Sequence, residues 1–100
     1  MRLVLRRRAQ EDLQETKFYY DEQTDQLGSK VLASLEEVFD LLLTFPETGQ
    51  HVDGYETMRR AVETTYGFLI WYAHEDDVVR VYRVIHGSRS PDHWPPEADR

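Results

Sequence analysis

A broad apolar stripe over residues 31–45 constrains the fold of this chain more than any other feature of its sequence. Apolar residues recur there in steps of four, three, four and three, and two more flank them: Val31, Leu35, Val38, Leu42 and Phe45, with Leu32 and Phe39. This spacing places them on one side of an α-helix, and Pro46 is a helix-ending signal. The helix therefore requires a second layer against which its stripe can be buried.

A first helix is predicted just before it, from Gln10 to about Gln23. Leu13, Thr16 and Tyr20 lie on one face of this helix together with the nearby Ala9, and its first turns carry Glu11, Asp12 and Glu15. Negative charge there complements the helix dipole. The polar connection at residues 24–26 is short, so the two helices should be antiparallel neighbours. We interpret their acidic residues as a solvated outer face.

The chain changes character after the loop "FPETGQHVDGYE". Three segments rich in aromatic and β-branched residues follow, at Met58 to Glu63, Tyr66 to His74 and Val78 to His86, and these are predicted strands. A fourth short strand is predicted at Arg2 to Arg6. The sequence therefore predicts an α+β fold of order β-α-α-β-β-β, in which a two-helix hairpin packs on one face of a small antiparallel sheet.

The other face of that sheet has no predicted element to cover it. In the second of the three segments, Phe68, Ile70 and Tyr72 alternate with Leu69, Trp71 and Ala73, so both faces are apolar. We expect one of these sets to face water or a partner.

Composition limits the classes of function. A chain of 100 residues suits a single domain over residues 1–100, with 91–100 as a candidate flexible tail. It has no cysteine, no apolar run long enough for a membrane span and no signal-peptide pattern, which predicts a cytoplasmic protein without a membrane partner. The net charge of −7 argues against indiscriminate nucleic-acid binding, and we expect no sequence-specific DNA binding by this chain alone.

The segment "VYRVIHGSRSP" places His86 and Arg89 three positions apart at the end of the last strand. Together with Arg59 and Arg83 they supply the residue types that RNA cleavage needs, namely a proton-transfer group and cations for the phosphorane. Strict alternation would put Arg80, Tyr82, Val84 and His86 on one side of the strand and Arg83 on the other. We favour the alternative in which the imidazole of His86 bonds the turn backbone and Arg89 holds the C-terminal segment.

No metal site or cofactor is expected, because the four histidines show no ligand spacing: His51, His74, His86 and His93. Trp71 is interpreted as a core residue or a partner contact. Trp94, beside Pro95 and Pro96, either folds back on the domain or awaits a partner.

Several segments in this order resemble the ParE/RelE superfamily of type II toxin–antitoxin toxins, and most of all its ParE branch. They are "AQEDLQETKFYYDEQ", "LLLTFPETG", "MRRAVE", "YGFLIWYAHEDD" and "VYRVIHGSR". The similarity spans roughly residues 2–94 and departs from the common pattern at Ser88 and Ser90.

The resemblance implies a toxin of the kind linked to plasmid stabilization, which inhibits DNA gyrase by binding it and is neutralised by a cognate antitoxin, in a complex with two copies of each protein. The alternatives are a RelE-like ribosome-dependent mRNA endonuclease and a non-toxic module of the same fold that only binds its antitoxin. No catalytic residue is favoured; the endonuclease alternative would use His86, Arg59, Arg83 and Arg89.

Two sets of binding residues are predicted on this basis. The candidates for antitoxin binding are Arg59, Leu69, Trp71, Arg80, Tyr82 and Arg83. The candidates for target binding are His86, Arg89 and Trp94.

Overall fold

The computed structural model describes residues 1–89 of the chain. Its elements are β1 (Arg2–Leu5), α1 (Arg7–Gln23), α2 (Leu27–Thr44), β2 (Gln50–His51), β3 (Met58–Glu63), β4 (Phe68–Glu75), β5 (Val78–His86) and a short 3-10 helix, Gly87–Arg89. The five strands form one sheet in the order β1-β5-β4-β3-β2. The α+β class and the predicted order of helices and long strands are confirmed.

The sheet differs from the prediction in two respects. A two-residue strand, β2, pairs with β3 and forms one edge of the sheet. At the other edge, β1 runs parallel to β5. The sheet is therefore mixed, whereas a wholly antiparallel one was expected. Strand β4 runs opposite to β3, and β5 runs opposite to β4. The last strand, β5, therefore lies beside β1 and runs in the same direction.

Helix α1 begins at Arg7 rather than at the predicted Gln10. Its first turn consequently contains no acidic residue, and the predicted match between the acids and the helix dipole is wrong. The side-chain amide of Gln10 instead donates to the carbonyl of Leu5 at 2.8 Å. This bond ties the first turn of the helix to the end of β1.

The apolar stripe of α2 packs against the sheet as predicted. Val31, Leu35 and Leu42 are fully buried, while Phe45, which lies just beyond the last residue of the helix, is 60% exposed. The sheet face that meets the helices, called here the inner face, contributes Ala61, Phe68, Ile70, Tyr72, Val79, Val81 and Val84 to the same core. Each large apolar side chain buried in this way stabilises the fold by about 1.5–3 kcal/mol.

The opposite face of the sheet, called here the outer face, carries the second apolar set of β4. Trp71 is 1% exposed and Ala73 is 3% exposed, whereas Leu69 is only partly buried. The expectation that one of the two sets faces water or a partner is therefore wrong for Trp71 and Ala73, and of the outer set Leu69 alone is partly exposed. Val62, which pairs with Leu69 in the adjacent strand, is 53% exposed.

A β-bulge in β5 changes which residues share a face. Trp71 pairs with Arg83 and Tyr72 pairs with Val81, so Tyr82 is an extra residue without a partner on β4. A bulge resets the alternation of side chains along the strand. His86 therefore lies on the inner face together with Val81, and the prediction that Arg80, Tyr82, Val84 and His86 share one side is wrong.

The buried hydroxyl of Tyr72 fixes the loop between α2 and β2. It donates to the carbonyl of Pro46 at 2.7 Å and accepts from the backbone N–H of Gly49 at 2.8 Å. Burial raises the pKa of Tyr72, which keeps the hydroxyl protonated for its donor role. A Cβ on Gly49 would lie 2.7 Å from the Tyr72 ring, so the Pro-x-x-Gly motif and this tyrosine form one structural unit.

Replacing Tyr72 with Phe should lower the free energy of unfolding by about 1–3 kcal/mol, because two buried backbone groups lose their partner. Chemical denaturation of the purified chain measures this. The matched control is Tyr66→Phe, since the hydroxyl of Tyr66 makes no hydrogen bond within residues 1–89. Equal losses in the two variants would contradict the role assigned to the Tyr72 hydroxyl.

Candidate functional site

A cleft of about 410 Å³ lies between α1 and the end of β5. Its walls combine aromatic, cationic, acidic and small polar side chains, including Tyr19, Tyr20, Phe68, Arg8, Arg83, Arg89, Asp12, Glu15, His86 and Ser88. Three of the four residues proposed for the endonuclease alternative meet here. The cleft, called here the α1–β5 cleft, is the candidate site.

Asp12 connects the two walls of this cleft. Strand β1 covers β5 only as far as Val81, so the backbone of β5 beyond that point needs another partner. The carboxylate of Asp12, which is 5% exposed, accepts the N–H of Val84 at 2.9 Å. The interpretation of the helix acids as a solvated face is therefore wrong for Asp12, which joins the helical layer to the sheet.

The same carboxylate holds the guanidinium of Arg83 through two hydrogen bonds. The Nε and Nη2 atoms of Arg83 lie 2.8 Å and 3.1 Å from the two oxygens of Asp12. Paired bonds of this kind between arginine and a carboxylate are both strong and geometrically restrictive. Arg83 is consequently oriented towards α1, and its charge is neutralised within the protein.

Arg8 approaches the same carboxylate from the surface. Its Nη1 atom lies 3.3–3.4 Å from the carboxylates of Asp12, Glu11 and Glu15. Arg8 is about half exposed, and exposed pairs of this type contribute little to stability. Its main effect is to add a second positive charge beside Asp12.

Both ring nitrogens of His86 are bonded to the protein. Nε2 lies 2.8 Å from the carbonyl of Tyr66, and Nδ1 lies 2.7 Å from the Ser88 hydroxyl and accepts the N–H of Ser88 at 3.1 Å. Because Nδ1 accepts an N–H, Nε2 is the ring nitrogen placed to donate to the carbonyl. The arrangement joins the end of β5 to the β3–β4 turn.

That turn is itself organised by a buried carboxylate. Glu63 is 1% exposed and accepts hydrogen bonds from the hydroxyl of Ser34 and from the backbone N–H groups of residues 65–68. Burial raises the pKa of Glu63, but these hydrogen bonds outweigh it, and the net effect is a lowered pKa. Glu63 thereby fixes the Tyr66 carbonyl that receives His86.

The remaining predicted residues lie away from this cleft. Arg59 is on β3, where its Nη1 atom donates to the carbonyls of Glu47 at 3.3 Å and Gly49 at 2.8 Å. It therefore helps to hold the loop between α2 and β2, two strands away from β5.

Other candidates lie on the outer face or at the bulge. Arg80 pairs with Ala73, which places it on the outer face with Leu69 and Trp71. Tyr82 lies at the bulge, with the guanidinium of Arg6 5.8 Å from the centre of its ring. Trp94 falls outside the described residues.

Residues 1–89 contain no group of three or more His, Cys, Asp or Glu side chains placed to hold a metal ion. Neither helix of that part of the chain has the length and apolarity that crossing a membrane would require.

Sequence reasoning missed Asp12 and Glu63 as structural residues. Asp12 carried a usable signal, because it follows Ala9 by three positions and so shares the buried side of α1. The only indication for Glu63 in the sequence is its position, at the end of a predicted strand and just before a turn that contains glycine.

Glu63 should make stability depend on pH. Its folded pKa is lowered, so its contribution is complete above the unfolded value of about 4.3 and is lost as pH falls through the folded pKa. Glu63→Gln should reduce the free energy of unfolding at neutral pH by about 1–3 kcal/mol and flatten its dependence on pH below that value. Denaturation curves between neutral and acidic pH measure both effects. Glu22→Gln, an exposed acid on α1, is the control, and identical pH profiles for wild type and Glu63→Gln would contradict the assignment.

The geometry can now be compared with known proteins. A family model described as ParE toxin of type II toxin-antitoxin system, parDE, matches residues 3–91. A solved structure described as "Chromosomal ParDE TA system from P. aeruginosa" matches with a TM-score of 0.74 and 16% identity, covering 86% of this chain and 95% of that chain; at this identity the likeness shows the fold. A search of curated proteins found no match. Because the family model spans most of the sequence, the chain belongs to the ParE toxin family of type II toxin–antitoxin systems.

Proposed function

We propose that this ParE-family chain inhibits DNA gyrase by binding it, without catalysing a reaction, and that a cognate antitoxin neutralises it. Membership of the ParE toxin family supports the toxin role. The net charge of −7 favours a protein target over ribosomal RNA.

The absence of catalysis is proposed because three of the four residues that a ribonuclease would use are already bonded within the protein. Arg83 is paired with Asp12, both ring nitrogens of His86 are bonded, and Arg59 holds a loop on the far side of β4. Cleavage of RNA needs a proton-transfer group and cations that converge on one phosphate. Of the four, Arg89 alone forms no ion pair or hydrogen bond within residues 1–89.

We assign antitoxin binding to the outer face of the sheet. Leu69 is partly exposed and Val62 is 53% exposed there, and Arg80 forms no ion pair within residues 1–89. A segment of the antitoxin with apolar and acidic residues would complement this surface. A complex with two copies of each protein, with the antitoxins in contact, remains the stoichiometry that the family resemblance implies.

Expression of the chain without antitoxin tests the target. It should block DNA replication and induce DNA damage while cellular mRNAs remain intact. His86→Ala should lower toxicity by less than about tenfold, about 1.4 kcal/mol, because a binding surface does not need a proton-transfer group. A ribonuclease that lost its proton-transfer group would lose about 10²–10⁴-fold.

The control is His51→Ala, an exposed histidine on β2, and the melting temperatures of all variants establish that they fold. Cuts in transcripts within minutes of induction would overturn the proposal in favour of the endonuclease. Unimpaired growth with soluble wild-type protein would overturn the toxin role and leave the antitoxin-binding module.

A further inference from the structure

We propose that the α1–β5 cleft binds an acidic peptide segment of a protein partner, with a carboxylate at Arg89 and a neighbouring apolar side chain against Phe18 and Tyr19. The inference rests on the proposed function and deepens it, because His86 and Arg89 are predicted target-binding residues. Its chemistry depends only on the residues of the cleft.

The carboxylate position is defined by a cation that the protein leaves unpaired. Arg8 and Arg83 both face Asp12, whereas Arg89 is exposed and forms no ion pair or hydrogen bond with residues 1–89. Arginine presents a planar fork of donors that suits a carboxylate. A carboxylate at Arg89 would therefore gain charge-assisted hydrogen bonds without displacing an internal partner.

Tyr20 also lines the cleft. Burial and the neighbouring Tyr19 raise the pKa of Tyr20, while the charge of Arg89 acts in the opposite direction. The hydroxyl is therefore protonated near neutral pH and can donate a hydrogen bond. An uncharged donor beside a guanidinium is a suitable pair for one carboxylate.

The apolar position is a pair of aromatic side chains at the rim of the cleft. Phe18 is 58% exposed and Tyr19 is 53% exposed on consecutive positions of α1. The ring of Tyr19 packs edge-on against Tyr20, with centroids 5.1 Å apart, and Tyr19 lines both the cleft and the adjoining surface around Phe18. The apolar surface is thus continuous with the carboxylate position.

The charges of the cleft favour a peptide over a nucleic acid. Asp12 and Glu15 lie in its wall, and the acidic surface of α1 adjoins it. A nucleic-acid backbone places a phosphate at every nucleotide and needs several free cations. Within residues 1–89, Arg89 is the only arginine of this cleft without an acidic partner, which suits one isolated carboxylate.

The test uses the isotope-labelled full chain and a blocked tetrapeptide, Glu-Leu-Glu-Phe, monitored by amide chemical shifts in NMR. Saturable shifts should appear at residues 15–20 and 85–89. A peptide with glutamine in place of both glutamates should bind about tenfold more weakly, the effect of one lost charge-assisted hydrogen bond.

Arg89→Gln should weaken binding of the acidic peptide to the level of the glutamine peptide, and Tyr19→Ala should weaken binding of both peptides. Arg80→Gln, on the outer face, is the matched control and should leave the affinity unchanged. An oligothymidylate of equal charge tests the nucleic-acid alternative.

Three results would overturn the inference: equal affinity for the two peptides, shifts confined to the outer face, or tighter binding of the oligothymidylate at Arg89. Absence of saturable shifts at millimolar peptide would also overturn it. Because the sample contains neither gyrase nor antitoxin, these results are independent of the identity of the target. Peptide binding together with unaffected gyrase would leave the cleft assignment standing and contradict only the proposed function.

Discussion

The position of α1 on the sheet depends on one buried carboxylate. Strand β5 extends past the end of β1, and Asp12 accepts the backbone N–H of Val84, three residues beyond the last residue of β5 that pairs with β1. The same group binds Arg83. A buried carboxylate with a cation and an N–H donor avoids the large cost of an isolated charge. Asp12 thus completes the hydrogen bonding at the sheet edge and holds α1 in place. It also neutralises Arg83, which is then not free to bind a phosphate.

A second buried carboxylate organises the opposite end of the cleft. Glu63 orders the β3–β4 turn through backbone N–H groups, and the turn presents the carbonyl of Tyr66 to His86. Gly87 continues the connection by donating its N–H to the carbonyl of Gly67 at 2.8 Å. The histidine therefore belongs to a network that joins two ends of strands. The polar groups of the fold's interior are used for architecture, and among the described residues of the cleft Arg89 and the ring of Tyr19 remain exposed.

The sequence predicted secondary structure best where apolar residues recur at a regular helical spacing over many positions. The stripe from Val31 to Leu42 predicted α2 and its buried side, because a helix of this length repeats its pattern several times. The three long strands followed from aromatic and β-branched runs bounded by turns. The resemblance to the ParE family depended on the order of short motifs. The structure explains one of them, since the hydroxyl of Tyr72 bonds the backbone of Pro46 and Gly49 in the Pro-x-x-Gly motif.

Long-range pairing set the limit of what could be predicted. The bulge at Tyr82 reverses the alternation that was applied to β5, and it arises from the register with β4, which a local pattern does not contain. The burial of Asp12 depends on where β1 ends relative to β5. For the candidate site, residue types near the C-terminus indicated the right region, but whether Arg83 and His86 were free or bonded required the positions of α1 and the β3–β4 turn.

The central claim is that this chain acts by binding gyrase and not by cutting RNA. The most direct measurement is a gyrase supercoiling assay with the purified chain, run beside a cell-free translation assay at the same concentrations. Supercoiling should be lost in proportion to added chain, while translation is undiminished and mRNA stays intact. Normal supercoiling together with cleaved mRNA in the translation reaction would contradict it.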